Sequence, residues 1–126
     1  MCRKTKVFFD GGCRPNPGPI EAAVVVRGSV HRFDDLGQGS SNDAEWLALI
    51  AALRLAQQLG LSEIELIGDA LEVIKQAKLI VQSGRAAPGH AAVFRDLAAS
   101  MPALTIRWIK RQQNLAGIAL AARHPR

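Results

Sequence analysis

Three acidic residues stand where this chain could do chemistry. The stretch KVFFDGGCRPNPGP carries a hydrophobic strand, Lys6 to Phe9, into Asp10 and then into a loop of glycines, prolines and an asparagine. Asp-Gly is ordinary turn chemistry, but a carboxylate at a rigid strand end is also well placed to hold a metal ion. Asp69 repeats the arrangement after Ile64-Glu65-Leu66-Ile67-Gly68, where an aspartate ahead of a helix reads equally as an N-cap. Glu45 precedes Leu49 by one helical repeat on the stripe Leu49, Ala52, Ala56, Leu59, so it heads the inward face of its helix. Asn42-Asp43-Ala44-Glu45 also matches a capping box with Asn42 as the cap, and the two roles are compatible. An inward carboxylate without a partner is costly, and a cation is one remedy. Oxygen ligands of this kind suit hard divalent ions such as Mg²⁺ or Mn²⁺. In a basic protein they suggest phosphodiester hydrolysis with two ions about 4 Å apart.

The bulk of the sequence fits that chemistry. Its 126 residues, 48% hydrophobic and 21% charged, suffice for one domain (residues 1–126) with a real core. Sixteen Lys and Arg against eleven Asp and Glu give a net charge of +5, which favours a polyanionic partner, nucleic acid above all. Solubility is the alternative use of such charge. No apolar run approaches the ~18 residues of a membrane span, and Met1-Cys2-Arg3-Lys4 does not open a signal segment. Two cysteines, Cys2 and Cys13, are too few for a disulfide framework, and no Cys/His cluster has zinc spacing. A cytoplasmic, monomeric protein without membrane contact is expected.

The elements that must position the carboxylates follow from periodicity. Strands are expected at Thr5 to Phe9, in EAAVVVRG and SVHRFDDLG with a hairpin at Arg27-Gly28-Ser29, in SEIELIG, and in ALTIRWIK with Leu104, Ile106 and Trp108 on one face. Helices are expected in SSNDAEWLALIAALRLAQQLG, closed by Gly60, in ALEVIKQAKLIVQSG, in HAAVFRDLAASM, stopped before Pro102, and in NLAGIALAAR before Pro125. The order β-β-β-α-β-α-α-β-α implies a five-stranded mixed α/β sheet flanked by helices. In such sheets ligands collect at the carboxyl ends of strands.

Four blocks of the chain, in order, resemble the ribonuclease H type 1 family. FFDGGCRPNPGP is similar to its strand-1 signature Asp-Gly-(small)-x-x-Asn-Pro-Gly-Pro. SSNDAEWLALIAAL resembles the block with an Asn three positions before a helical Glu. IELIGDALEVIK resembles the Asp at a strand end leading into a helix, and IKRQQNLAGIALA resembles Arg-x-x-Asn-x-x-Ala-Asp-x-x-Ala. The resemblance implies a ribonuclease H-like fold and an endonuclease that cuts the RNA strand of RNA–DNA hybrids with Mg²⁺ or Mn²⁺. It makes Asp10, Glu45 and Asp69 the metal-binding catalytic acids, with Asp10 bridging the ions and Glu45 helping to orient the attacking water. Gly11, Cys13, Asn16 and Asn42 fall on substrate contacts, in a loop able to read the 2′-hydroxyls of a minor groove. Cys13 is equally readable as a small loop residue. Arg14 and Lys110, with Arg107 and Arg111, would meet the phosphates, or else are solvated surface charge.

The chain departs from the family pattern in three places. The fourth carboxylate falls at Gly117, unless a shifted acid or water replaces it. Lys110-Arg111-Gln112-Gln113 lacks the histidine that some members use in turnover, and the 82–102 segment is too short and too poor in Lys and Trp for a basic protrusion. His124 reads as a helix-end cation, His90 as part of a helix start, and His31 as a strand residue without a catalytic partner. The other reading is therefore a catalytically impaired module of the same fold that binds hybrids or docks a partner.

Overall fold

The computed structural model describes residues 4–101 and 103–123; Cys2, Pro102, His124 and Pro125 lie outside the described residues. β1 (Thr5–Cys13) and β2 (Gly18–Val26) form a long antiparallel hairpin, in register from Val7↔Val26 to Cys13↔Ile20. β3 (Ser29–Phe33) pairs with β2 through a turn at Arg27-Gly28, both with positive φ, and the two-residue β4 (Gln38–Gly39) touches the start of β2. On the other side of β1 lie β5 (Glu63–Gly68) and β6 (Ala103–Trp108), both parallel. The strand order is β3-β2-β1-β5-β6, the expected five-stranded mixed sheet with β4 as an addition.

Helix α1 (Ser41–Gln58) crosses the sheet with Ala44, Ala48, Ala52 and Ala56 buried at four-residue spacing. Small side chains let the helix axis approach closely, while Leu49 and Leu53 fill the flanks with Phe9, Val24 and Leu66. The opposite face of α1 is covered by α3 (His90–Ala98), where Trp46 meets Phe94 with ring centroids 6.2 Å apart. Helix α2 (Leu71–Ser83), closed by left-handed Gly84, adds Val73, Ile74 and Ala77 to the same core. The other face of the sheet carries α4 (Leu115–Ala122), whose Ala116 and Leu120 pack on Ala23 and Val25. No helix among the described residues is long and apolar enough to cross a membrane.

Several expectations shift by a few residues, each for a local reason. Asp10 lies inside β1, because the hairpin with β2 runs through the glycines to Cys13. What ends near Asp10 is its parallel neighbour: β1 pairs with β5 only as far as Phe8↔Ile67, and β5 stops at Gly68. The cap of α1 is Ser40, two residues earlier than the Asn42 expected: Ser40 Oγ accepts from the Asp43 N–H and Asp43 Oδ2 accepts from the Ser40 N–H, at 3.1 and 2.9 Å. Leu59 is the C-cap and 49% exposed rather than part of the buried stripe. Trp108 is 41% exposed, since it stands at the last position of an edge strand and turns its indole toward the Asp69 carbonyl, which accepts from Nε1 at 3.1 Å.

Candidate active site

The parallel register that ends at Phe8↔Ile67, continued by two residues, sets Asp10 level with Asp69. Beyond that point β1 has no strand on this side, so its polar groups need other partners. Glu45 supplies one: its Oε1 accepts the Gly11 N–H at 2.8 Å. Gly11 makes the approach possible, because a Cβ there would lie 2.1 Å from the Ala44 carbonyl oxygen. Asn114 supplies the other: its Nδ2 donates to the Phe9 carbonyl at 3.0 Å and to Asp69 Oδ2 at 2.9 Å, while its Oδ1 accepts the Ala116 N–H as the α4 cap. Asn114 is wholly buried, and it ties β1, the β5 exit and α4 into one unit. Asp69 is therefore held by Asn114; the cap position of α2 is Ala70, which gives no side-chain cap.

Asp10, Glu45 and Asp69 each bring a carboxylate oxygen to within 4.8 Å of the others. Burial and then the charge of Asp69 push Asp10 from its ordinary 3.8 up to about 7. Burial and then the charge of Asp10 push Glu45 from 4.5 up to about 8, and the nearby Arg111 guanidinium pulls both back toward ionisation. This is the electrostatic condition that bound cations relieve. The donor set, all hard oxygen, fits Mg²⁺ or Mn²⁺ and not a softer metal.

The fourth block of the sequence admits two registers: counting from Asn114 sets the acid at Ile118, and matching Ala116 sets it at Gly117. The helix geometry selects Gly117. A Cβ there would stand 3.5 Å from Asp10 Oδ2 and 3.6 Å from Asp69 Oδ2, whereas Ile118 is 53% exposed. On that side Asp10 and Glu45 of the cluster line a cleft of about 260 Å³, together with Arg14, Arg111, Gly117 and Glu21, among others.

The expected substrate contacts divide into groups. Asn16 Oδ1 accepts the Ser41 N–H at 3.1 Å and the Cys13 thiol at 3.5 Å, which locks the loop onto the start of α1 beside exposed Asn42. The oxygen of Asn16 thus serves the fold and its NH₂ is the group left to donate outward. Cys13 itself is buried and free, with Ser41 Oγ at 3.8 Å. The peptides preceding Pro15 and Pro17 are cis. The Gly11 N–H is committed to Glu45, so what Gly11 offers is space. Arg14 lines the cleft, while exposed Lys110 and Asn42 are not among its lining residues. Arg107 lies 3.6 Å from Glu65 as an ion pair. His31 faces Val24 in the β2–β3 ladder, and His90 does begin α3, where its Nε2 lies 3.1 Å from Asp43 Oδ1 and ties α3 to the α1 cap. Sequence reading missed the bridging role of Asn114 and the presence of Glu21 in the cleft.

Comparison with known proteins supports the same frame. Residues 8–124 match the family model described as reverse transcriptase-like. The chain is 41% identical over 78 residues to the ribonuclease HI of Halobacterium salinarum, an alignment spanning 58% of this chain and 39% of that protein. It is 29% identical over 130 aligned residues to the bifunctional protein Rv2228c of Mycobacterium tuberculosis, covering 94% of this chain and 34% of the other. The chain thus spans well under half the length of these two relatives. Among solved structures, the ribonuclease H1 of H. salinarum superposes with a TM-score of 0.72 at 27% identity, covering 95% of this chain and 99% of that one. LC11 ribonuclease H1 bound to an RNA/DNA hybrid gives 0.70 at 28% identity, covering 89% of each chain.

Proposed function

Since the chain belongs to the ribonuclease HI family, within the ribonuclease H-like superfamily, we propose that it is an endonuclease hydrolysing the RNA strand of RNA–DNA hybrids with divalent cations. The observation that carries this reading is the convergence of Asp10, Glu45 and Asp69 within 4.8 Å at the open end of a parallel strand pair. Asp10, Glu45 and Asp69 would hold the cations, Asp10 between the other two. When bound, the cations polarise the scissile phosphate and lower the proton affinity of water.

The chain's own residues do the rest. Asn114 and the Gly11 N–H fix Asp69 and Glu45, so the ligand oxygens are set before substrate arrives. Asn16, Asn42 and the backbone of the 13–16 loop face the hybrid's minor groove, where 2′-hydroxyls mark the RNA strand. Arg14 and Arg111, lining the cleft, neutralise phosphate charge. Mn²⁺ supports more activity than Mg²⁺ at low concentration, because a site short of one acid gains from the ion that binds mixed sites more tightly. A buried free thiol at Cys13 suits a reducing cytoplasm, and the working unit is a monomer.

One observation favours a second reading: the absent side chain at Gly117 leaves the cluster an acid short, as in a hybrid-binding module without turnover. Cleavage of end-labelled RNA–DNA, RNA–RNA and DNA–DNA duplexes, with Mg²⁺ or Mn²⁺, separates the two. The expected result is hybrid-selective cutting that Asp10→Asn abolishes. Hybrid retention without cutting under either metal would establish the binding module.

A further inference from the structure

The missing acid at Gly117 is opposed, across the same cleft, by a carboxylate on β2. Phe8, Asp10 and Gly12 of β1 face the α4 side of the sheet, as do Glu21, Ala23 and Val25 of β2. Phe8, Ala23 and Val25 pack there with Ala116 and Leu120, and a Cβ on Gly12 would meet Leu120 Cδ2 at 3.6 Å. In the hairpin Asp10 lies opposite Ala23 and Gly12 lies opposite Glu21, so Glu21 is the diagonal neighbour of Asp10 on one face. Such diagonal positions are roughly 7–8 Å apart. A glutamate arm with metal–oxygen bonds of about 2 Å is long enough to bridge that span. Gly12 places no side chain between them, and the nearest group over it is the Leu120 side chain of α4. Together with Asp10 and Glu45, Glu21 accounts for the carboxylates that line the cleft among the described residues.

From this we infer that Glu21 replaces the acid absent at Gly117, entering the coordination of the cation next to Asp10 from the β2 side. The inference rests on the metal-dependent reading of the site. Without metal, Glu21 is in the field of Arg123 at the end of α4, a guanidinium that also bonds Asp34. On cation binding the Glu21 side chain would exchange that partner for the ion.

The test uses MnCl₂ alone as probe, read by the rise in melting temperature and by titration calorimetry, with hybrid cleavage against Mn²⁺ concentration as a second readout. Glu21→Gln, nearly isosteric and on a half-exposed position, should fold normally and need at least about tenfold more Mn²⁺ in both readouts, the lower end of losses seen when a metal site is weakened. Gly117→Asp should restore the wild-type requirement in the Glu21→Gln background while adding little to the wild type. Arg123→Gln distinguishes a ligand from an ion-pair partner, because it should leave the Mn²⁺ requirement unchanged or lower it. The inference is overturned if Glu21→Gln matches wild type while Asp10→Asn loses its Mn²⁺ response, an outcome that leaves the catalytic reading standing. It is also overturned if Arg123→Gln weakens Mn²⁺ binding as much as Glu21→Gln does. If Asp10→Asn retains the full Mn²⁺ response, the metal-dependent reading falls, and this inference with it.

Discussion

Removing the charge from Asp10 should flatten the way stability depends on pH. In the metal-free fold Asp10 and Glu45 hold protons up to about 7 and about 8, whereas their ordinary values are 3.8 and 4.5. Between those limits the folded chain binds more protons than the unfolded one, so stability falls as pH rises through the window from about 4 to about 8. Each pH unit crossed costs up to about 1.4 kcal/mol per group. Part of the Glu45 shift comes from Asp10, while Glu45 in turn eases Asp10 through a hydrogen bond, so the two do not add as independent groups and the pair contributes roughly 4 kcal/mol, about what one such shift corresponds to. For a domain of this size that is on the order of 10 °C in melting temperature. The assay is a set of melts from pH 5 to pH 9, with chelator or with millimolar Mn²⁺, for wild type and Asp10→Asn. In chelator the wild type should lose stability across the window and Asp10→Asn should lose much less. Mn²⁺ should rescue the wild type most at high pH, where its ligands are ionised. Asp34 and Asp43, whose carboxyls are held below the ordinary range by hydrogen bonds, add stability that disappears only on acidification, outside this window. A metal-free wild type whose stability is flat or rising from pH 5 to pH 8, relative to Asp10→Asn, would refute the electrostatic account of the cluster.

Glu45→Gln keeps an oxygen for the Gly11 N–H and removes a repelling charge, so denaturant unfolding should show a change under ~1 kcal/mol or a gain, while hybrid cleavage collapses; full activity would end the ligand assignment. Gly11→Ala places a Cβ against backbone, the Ala44 carbonyl, and should destabilise by about 3 kcal/mol or more, as overpacking without room to relax does; a shift in urea midpoint below a third of that would mean α1 can lift from the sheet. Asn114→Ala strands the Phe9 carbonyl and releases Asp69, and should cost about 2–4 kcal/mol together with a higher Mn²⁺ requirement; lost stability with unchanged metal response would reduce Asn114 to a cap.

Much of this was legible in the chain because local and long-range signals agree. Strand alternation, Gly60 and Gly84 as helix stops, and the inward stripe of α1 each follow from short windows of sequence. The three carboxylates were legible for the same reason, since each sits where a local pattern breaks. What the sequence could not show is relative length. Whether Asp10 ends β1 or lies within it depends on how far β2 accompanies it, and Gly-Gly-Cys looks like loop unless the partner at Ile20 to Ala22 is known. The cap of α1 moved to Ser40 because Asp43, not Glu45, reaches back, and that choice frees Glu45 for Gly11. Trp108 alternates correctly yet stays exposed, because an edge strand has no further neighbour to bury its last residue.

Asn114 shows how cap and site are one device. A helix N-cap needs an acceptor for its orphan N–H, and asparagine supplies it with Oδ1 while keeping two donors. One of those donors meets the Phe9 carbonyl that β5 leaves unpaired, and Asp69 Oδ2 lies within 2.9 Å of the same nitrogen. The strand that stops short therefore creates the unsatisfied carbonyl, and the residue that satisfies it also holds the Asp69 carboxylate and starts the helix on which Gly117 rides. An aspartate at 114 could cap the helix but would face Asp69 with like charge, and a serine would cap but not reach. The cleft is thus positioned by the backbone accounting of a truncated parallel pair, which is why its acids hold their geometry even where the family's fourth acid is absent.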